Sequence, residues 1–542
     1  MQEPKWYLGV VLSFVTAFLL LFSYPTFNLN FLGFIALVPV FFVVYRTTVA
    51  KTIVYGVLAG FTFYCLYLFW MNAYLAVIGV AFTTLLFGGY FVITMIFINL
   101  TARAFPRYRA FITPFIWIAV EYVRSFGFLS FTFGSMGYSQ HNFLRFIQVA
   151  DIGGEPLVSF LVVFFNAAVC DFVILFFEDR EGRTQAGFRK AIPVIISTLL
   201  IVISVVYGSF RFSEPIPEHK RLKLSLIQAL SSPRTEWKRE KWKTLKRLTD
   251  LSKESIEKNN GVDLIVWTET AIRTSLRPNL LHGTAYHKKV QDLVIELDTE
   301  FVIGSPDNFY PGQGDRLNTN DLAEVYPSKD KDEIWTNSAY YLNRNGEITG
   351  RYDKIKLTPF GEHFPIGKRL GFLQRIIDNF TDSAGFTPGK EHTVFDNSKL
   401  PFGVVICWEG TYGYFIREFV KNGAEFIINI SNDMWTKTEA GHFQHFSMTK
   451  FRAVENRIWF ARAANDGVTA IINPRGEVVK ILPIKEEGYL IGEVREKVRE
   501  TFYTRNGDIL PKVSVWILGL SFAGSIYMLV ANPKRRKYGP RA

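Results

Sequence analysis

Residues 401–415 read PFGVVICWEGTYGYF. Phe402 to Ile406 is an apolar run of strand length, broken only by Gly403, and Cys407 stands where it stops. The segment YGYFIREFVKNG (412–423) has helical spacing and closes on a glycine, a usual helix stop. A buried strand that hands a thiol to a turn ahead of a helix is a unit of an α/β sheet. Two readings of the thiol stay open here. Unpaired cysteines are often small buried core residues, and a thiol between a strand and a helix is also well placed to react.

The same alternation continues on both sides. LKLSLIQ (222–228), VDLIVWTE (262–269) and EFVIGSPD (300–307) read as strands. Between them RTEWKREKWKTLKRLTDLSKESIEKN (234–259) and YHKKVQDLVIEL (286–297) have helical period. NSAYYLNRNGEITGRYDKIKL (337–357) predicts two strands joined at Asn345-Gly346, a strong hairpin signal. Downstream, AEFIINISND (424–433) predicts a strand and HFQHFSMTKFRAVENRIWFARAA (442–464) a long helix. GVTAIINPRGEVVKI (467–481) predicts a hairpin turning near Pro474-Arg475-Gly476, and GYLIGEVR (488–495) a closing strand. Strands alternating with helices imply an α/β sheet layered with helices, the hairpins adding antiparallel edges.

Outside this region the composition changes. The chain has 542 residues, too many for one core, and its first 210 or so are Phe-rich and apolar. A bilayer core takes roughly 20 apolar residues per helix. Eight segments qualify as candidate spans, at about 7–24, 29–45, 52–71, 75–100, 110–123, 156–177, 191–209 and 512–531. The first has only Lys5 ahead of it and no small-x-small cleavage site, so it is expected to remain as a span. The expected division is a transmembrane domain at 1–210, an extracytoplasmic α/β domain at 211–510, and a last helix with a basic tail at 511–542.

Lys and Arg set the expected orientation. Arg46 and Lys51, then Arg103, Arg107 and Arg109, then Arg180, Arg183, Arg189 and Lys190 flank alternate connections, and NPKRRKYGPR ends the chain. Both termini are therefore expected in the cytoplasm and the α/β domain outside. The net charge of +12 is accounted for in part by these basic loops and does not call for nucleic acid. The composition excludes a disordered or collagen-like chain.

Cys65 and Cys170 fall within apolar segments, which leaves Cys407 alone in the exported region with no internal disulfide partner. Glu269 ends a strand in VDLIVWTETA. It reads either as a carboxylate bonded to a helix N-terminus or as a general base for the thiol. GRYDKIKLTPFGEHFP (350–365) supplies Lys354, Lys356, Glu362 and His363. The two lysines share a face, as solvated edge residues would, yet the turn-rich loop after them suits functional groups held above a sheet. A lysine beside a developing oxyanion would stabilise it. His442 and His445 have metal-compatible spacing but no compact third ligand, so no metal is expected.

In the order Glu, Lys, Cys, the segments WTETA, RYDKIKLTPFGEH and GVVICWEG resemble the three motif blocks of the nitrilase superfamily, which performs acyl transfer through a thioester on an αββα sandwich. The resemblance extends over nearly the whole chain to its membrane-embedded branch, the bacterial apolipoprotein N-acyltransferases, through WIAVEYVRS, GSMGYSQ, PFGEHFP, ISNDMW, HFQHFSMTKFRAVENR and NDGVTAIINPRGE. It implies a polytopic helical membrane domain with an extracytoplasmic nitrilase-like domain, in the inner membrane and facing the periplasm. The implied reaction moves a fatty acyl chain from a phospholipid to the amino group of a diacylglyceryl-cysteine on an apolipoprotein, without a cofactor. By motif, Glu269 matches the base, Lys354 the stabilising lysine and Cys407 the nucleophile. Glu362, Glu409, Trp408 and Asn337 match supporting positions, and Trp237 a tryptophan implicated in lipid handling.

Three positions depart from the family pattern: Lys356 where His is common, Trp408 where Tyr is common, and NDG for NNG. The first leaves open which lysine is catalytic, and spacing to Leu357 and PFGE favours Lys354. A membrane-anchored amidase that uses water in the second step, and a transporter or scaffold with a degenerate domain, are the competing readings.

Overall fold

The computed structural model describes residues 3–127, 129–180, 187–231, 237–276, 285–309, 334–359, 361–362, 385–434, 436 and 438–531. The chain divides into two compact units. One comprises Met1–Glu214, Thr438–Glu455 and Thr501–Ala542; the other comprises Pro215–Lys437 and Asn456–Glu500.

The first unit is helical. Its N-terminal part contains α1 (Trp6–Ser23), α2 (Val38–Val44), α3 (Val49–Tyr67), α4 (Asn72–Ala104), α5 (Arg109–Val123), α6 (Leu144–Ile147), α7 (Ala150–Arg180) and α8 (Ile192–Ser213). Large apolar side chains such as Leu199, Val202 and Val206 on α8 point outward, as on a helix solvated by lipid. Among the described residues, six helices in the whole chain are long and apolar enough to cross a membrane, where eight segments were expected.

Two expected spans fall short, for identifiable reasons. The segment expected at 29–45 is a 3-10 turn, Asn30–Phe34, followed by the seven-residue α2 with Pro39 in its first turn. Backbone groups freed at the break are held by side chains: Asn166 of α7 accepts from Leu37 N at 2.8 Å and donates to Gly33 O at 2.9 Å, and Thr16 of α1 accepts from Val40 N at 3.0 Å. Such satisfaction is what allows non-helical backbone among apolar helices. The other, α5, has 15 residues, about 22 Å at the usual rise.

The second unit is built on two six-stranded sheets. In chain order its elements are β1 (Arg221–Gln228), α9 (Trp237–Glu257), β2 (Leu264–Val266), α10 (Ala285–Leu297), β3 (Glu300–Phe309), β4 (Ile334–Leu342), β5 (Ile348–Asp353), β6 (Val394–Phe395), β7 (Phe402–Ile406), α11 (Gly413–Lys421) and β8 (Phe426–Ser431). The helix α12 (Glu439–Asn456) follows, then β9 (Trp459–Ala464), β10 (Thr469–Ile472), β11 (Val478–Leu482) and β12 (Gly488–Arg495). One sheet runs β12-β1-β2-β3-β4-β5 and the other β11-β10-β9-β8-β7-β6. β1, β2 and β3 are mutually parallel, as are β7, β8 and β9. Both hairpins turn where expected, Gly346 at φ 74° and Gly476 at φ 80°. The sheets meet through rings: Tyr341 of β4 packs against Phe402 of β7 with centroids 5.4 Å apart. On the outer face of the first sheet, α9 and α10 bury Leu245, Leu248, Val290 and Leu293 over Ile265, Trp267 and Phe301. This is the αββα sandwich that the motif blocks imply.

One expected helix is corrected. The run from His442 to Ala464 does not continue as helix; Arg457 takes φ 53°, and Trp459–Ala464 becomes the fully buried strand β9. A short apolar run has no period of its own that separates buried strand from buried helix, and here the neighbours β8 and β10 decide.

The first unit is completed by Thr438–Glu455 of α12, by α13 (Phe502–Asn506) and by α14 (Ile509–Ala531). Gln444 of α12 accepts from Trp70 Nε1 at 2.8 Å and donates to Tyr67 O at 3.0 Å. Glu455 accepts from Glu155 N at 2.9 Å and from Arg452 Nη2 at 2.7 Å. The helix is thus part of the helical unit although the strands on either side of it in sequence belong to the sandwich. The basic tail beyond Ala531 lies outside the described residues.

Candidate active site

Strand direction brings the candidate residues together. In the second sheet β7 and β8 are parallel with Ile406 opposite Ile430, so Cys407 and the segment 431–433 emerge side by side at their C-terminal ends. In the first sheet Glu269 lies just past β2 and Lys354 just past β5. Glu269 crosses to the other sheet: its Oε2 accepts from Asn432 N at 2.9 Å.

A buried cluster forms around that carboxylate. Glu269 Oε1 accepts from Asn337 Nδ2 at 2.8 Å and from Lys354 Nζ at 3.2 Å. Asn337 Nδ2 also donates to Glu362 at 2.7 Å, and Lys354 Nζ to Glu362 at 2.9 Å. Thr358 N donates to the second Glu362 oxygen at 2.7 Å. One amide and one ammonium therefore bridge two carboxylates. Lys354 is 1 % exposed and Glu269 6 %, so these charges act on each other without much screening by water.

The electrostatics follow from burial and neighbours. Loss of solvation pushes the Glu269 carboxyl above its ordinary range, with the negative Glu362 adding to it and Lys354 opposing. Burial raises Glu362 too, but the Lys354 ammonium and the Thr358 N–H outweigh it, and its carboxyl ends below the usual value. Burial alone would release the Lys354 proton; Glu269 and Glu362 reverse that and hold the ammonium well above its ordinary range. Cys407 is 5 % exposed and its thiol is pushed up by burial first and then by the Glu269 charge, with Lys354 pulling the other way. Burial and the Glu269 charge thus disfavour the thiolate, and the Lys354 ammonium favours it.

The thiol-bearing turn is unusual. Cys407 has φ 57°, the left-handed region that costs a side-chain-bearing residue energy and clusters at functional sites. A 3-10 turn, Cys407–Thr411, follows, and α11 begins at Gly413, so the helix expected over 412–423 forms one turn beyond the sulfur. Glu409 fastens the turn. Its two oxygens accept from Ile406 N at 2.8 Å, Ile355 N at 2.8 Å, Lys356 N at 2.9 Å and the Tyr352 hydroxyl at 2.9 Å. Burial pushes this carboxyl up to about 7 against the pull of those donors. Trp408 adds a second tie, Nε1 donating to Lys356 O at 2.6 Å.

The two lysines lie in different surroundings. Lys354 joins the carboxylates, whereas Lys356 Nζ lies over the Tyr412 ring, 4.4 Å from its centroid. Trp237 opens α9, but its side chain lies outside the described residues, as does His363. Sequence reasoning missed Asn429, Asp433 and Arg462, all fully buried behind the thiol. Arg462 Nη2 pairs with Asp433 Oδ2 at 2.5 Å. The signal available was Asn429 and Asp433 within a segment that reads as an apolar strand; Arg462 gave none, because its stretch reads as helix. Among the described residues no group of three or more His, Cys, Asp or Glu is placed to hold a metal ion.

Comparison with known proteins extends this picture. Residues 223–503 match the carbon-nitrogen hydrolase family, and residues 16–168 match the apolipoprotein N-acyltransferase N-terminal domain. The apolipoprotein N-acyltransferase of Geobacter metallireducens is 31% identical, over 93% of this chain and 92% of its own. Apolipoprotein N-acyltransferase 1 of Treponema denticola is 30% identical, over 95% of this chain and 96% of its own. The solved structure of Nit3 from Saccharomyces cerevisiae, of the nitrilase superfamily, matches 51% of this chain and 90% of its own, with 17% identity and a TM-score of 0.36.

Proposed function

This chain belongs to the apolipoprotein N-acyltransferase family, and from that premise we propose that it moves a fatty acyl group from a membrane phospholipid to the α-amino group of the N-terminal S-diacylglyceryl-cysteine of apolipoproteins. The observation that supports the reading is that Glu269 bonds both to Lys354 and to Asn432 N, in the segment that emerges beside Cys407 at the ends of the parallel strands β8 and β7.

In the first half-reaction Glu269 takes the thiol proton and Cys407 Sγ attacks the ester carbonyl of the phospholipid. The oxyanion forms beside the Lys354 ammonium, which is already held in place by two carboxylates and has no reorganisation to undergo. When the intermediate collapses, the ester C–O bond breaks, the departing lysophospholipid alkoxide takes the proton back from Glu269, and the acyl group remains as a thioester. In the second half-reaction the acceptor amine attacks the thioester carbonyl and gives its proton to Glu269. The C–S bond breaks, the amide leaves, and the proton returns to the thiolate.

Glu362, Asn337 and Glu409 hold the charged groups and the turn, and Trp408 ties the turn to the Lys354 loop. We assign Trp237 to lipid handling on the family pattern alone. Both substrates carry acyl chains, and each buried CH₂ contributes about 0.8 kcal/mol to staying in the bilayer. That energy is the reason for attaching such a site to a multi-pass membrane unit. The charge pattern supports an inner-membrane placement with the sandwich facing the periplasm and both termini in the cytoplasm.

Intact mass of the purified protein after incubation with phospholipid tests the assignment. We expect a fatty-acyl increment that hydroxylamine removes, that Cys407→Ala lacks, and that a lipopeptide acceptor discharges as an amide. Discharge to free fatty acid with lipopeptide present would favour the amidase reading instead. Acylation unchanged in Cys407→Ala would defeat the proposal.

A further inference from the structure

Behind the thiol, three fully buried side chains form one run of hydrogen bonds. Asn429 of β8 donates through Nδ2 to the backbone carbonyls of Cys407 at 3.0 Å and Val405 at 3.2 Å, bracketing the residue held at φ 57°. Its Oδ1 accepts from Arg462 Nη1 at 2.5 Å. Arg462 Nη2 reaches Asp433 Oδ2 at 2.5 Å, and Asp433 Oδ1 accepts from Ser431 Oγ at 2.7 Å. Between Ser431 and Asp433 lies Asn432, the residue whose N–H holds Glu269 Oε2. One short segment is therefore tied to the base carboxylate at Asn432 and, from the next residue through Arg462 and Asn429, to the backbone of the nucleophile.

Two glycines leave room for this run. A Cβ at Gly467 would stand 2.2 Å from Asp433 Oδ2, and one at Gly410 would stand 3.1 Å from Asn429 Oδ1. A buried ion pair is by itself weak support for stability, since apolar residues of similar volume often serve as well. What sets this one apart is where its two ends lead. A left-handed cysteine persists only where its surroundings determine it, and these bonds terminate on its carbonyl.

We propose that Asp433, Arg462 and Asn429 are positioning residues of the acyl-transfer reaction, fixing the Glu269 carboxylate and the Cys407 thiol in mutual register by joining the segment that holds one to the turn that carries the other. The proposal rests on Cys407 being the residue that is acylated.

The test is single-turnover acylation of the purified full chain by phospholipid in mixed micelles, followed by intact mass, with thermal unfolding recorded for each variant. Asn429→Ala and Arg462→Lys each slow thioester formation by about 10²-fold, the scale of a misplaced reacting group, while the donor concentration for half-saturation stays within about twofold. The double variant is no slower than the slower single one, because either change breaks the same run. Asp433→Asn, which keeps shape and an acceptor oxygen, retains most of the rate that Asp433→Ala loses. Arg462→Lys and Asp433→Asn carry the test if the alanine variants unfold. An unchanged rate, a loss that appears as raised half-saturation, equal losses in Asp433→Asn and Asp433→Ala, or multiplicative losses in the double variant would overturn the inference. Absence of any thioester on the wild-type chain would instead remove the reading of Cys407 on which it rests.

Discussion

Glu409 shows how much one side chain can be asked to do. It is fully buried and every partner named for it is a donor: three backbone N–H groups and a tyrosine hydroxyl. Glu409→Gln keeps the size but replaces one acceptor oxygen with an NH₂ that faces donors. Hydrogen bonds to a charged group contribute about 1.5–3 kcal/mol each, so we expect a loss on the order of 3 kcal/mol, read as a lowered thermal midpoint together with slower acylation. An unchanged midpoint would show that the turn is held by something else. Glu269 makes a prediction in pH. Its carboxyl lies above the ordinary range because it is buried, with Glu362 reinforcing and Lys354 opposing the shift. A general base works only when ionised, so acylation is lost as pH falls through that raised value. The acid limb of the single-turnover rate should therefore sit above the pH at which an ordinary glutamate titrates. A limb at the ordinary value or below it would assign the proton transfer to another group.

At the scale of elements, the proposed base is backed by a strand that packs backbone against backbone at one glycine. Gly304 of β3 packs against the chain leaving β2, and a Cβ there would stand 2.2 Å from Thr268 O and 2.8 Å from Glu269 Cα. Backbone cannot swing aside as a side-chain tip does, so Gly304→Ala pushes the Glu269 peptide itself. Overpacking of this kind costs about 1–3 kcal/mol, and displacement of a reacting group can cost about 10²-fold in rate. We expect the rate to fall by more than the stability loss would suggest, measured as single-turnover acylation on protein that still unfolds cooperatively. In the helical unit, the break before α2 depends on Asn166, which serves both Leu37 N and Gly33 O. Asn166→Leu strands both groups, and at about 1–3 kcal/mol for each unsatisfied buried group the thermal midpoint should drop markedly. A midpoint within error of wild type would mean that the backbone there finds other partners.

For the whole molecule, the sequence was most readable where one period or one turn dominates. Most of the strands, both hairpins and the long apolar helices follow from local pattern, whereas Glu269, Lys354 and Cys407 are singled out by the resemblance of their three segments to the nitrilase motif blocks, each keeping a structural alternative when read alone. What escaped had its cause elsewhere in the chain. Arg462 was hidden in a stretch that reads as helix until β8 and β10 claim it as strand, and the break at residues 30–44 draws on side chains of α1 and α7 that are distant in sequence. The compact division of the chain, with Thr438–Glu455 belonging to the helical unit, is equally invisible to a local reading.

Orientation across the membrane is a property of the whole chain that charge alone argues. Arg46 and Lys51, Arg103 to Arg109, and Arg180 to Lys190 flank alternate connections, and with the KRRK run near the end of the sequence they argue for one common, cytoplasmic side. A fluorescent protein fused after Ala542 should therefore fluoresce, and alkaline phosphatase fused there should be inactive. The same phosphatase fused after Pro217, beyond α8, should be active. Replacing Lys534, Arg535, Arg536 and Lys537 by glutamine should leave the Pro217 fusion active, because the basic residues proposed to orient α1 to α8 lie in the earlier connections. Phosphatase activity at the C-terminus of the unmodified chain would place the tail on the sandwich side and overturn the assignment.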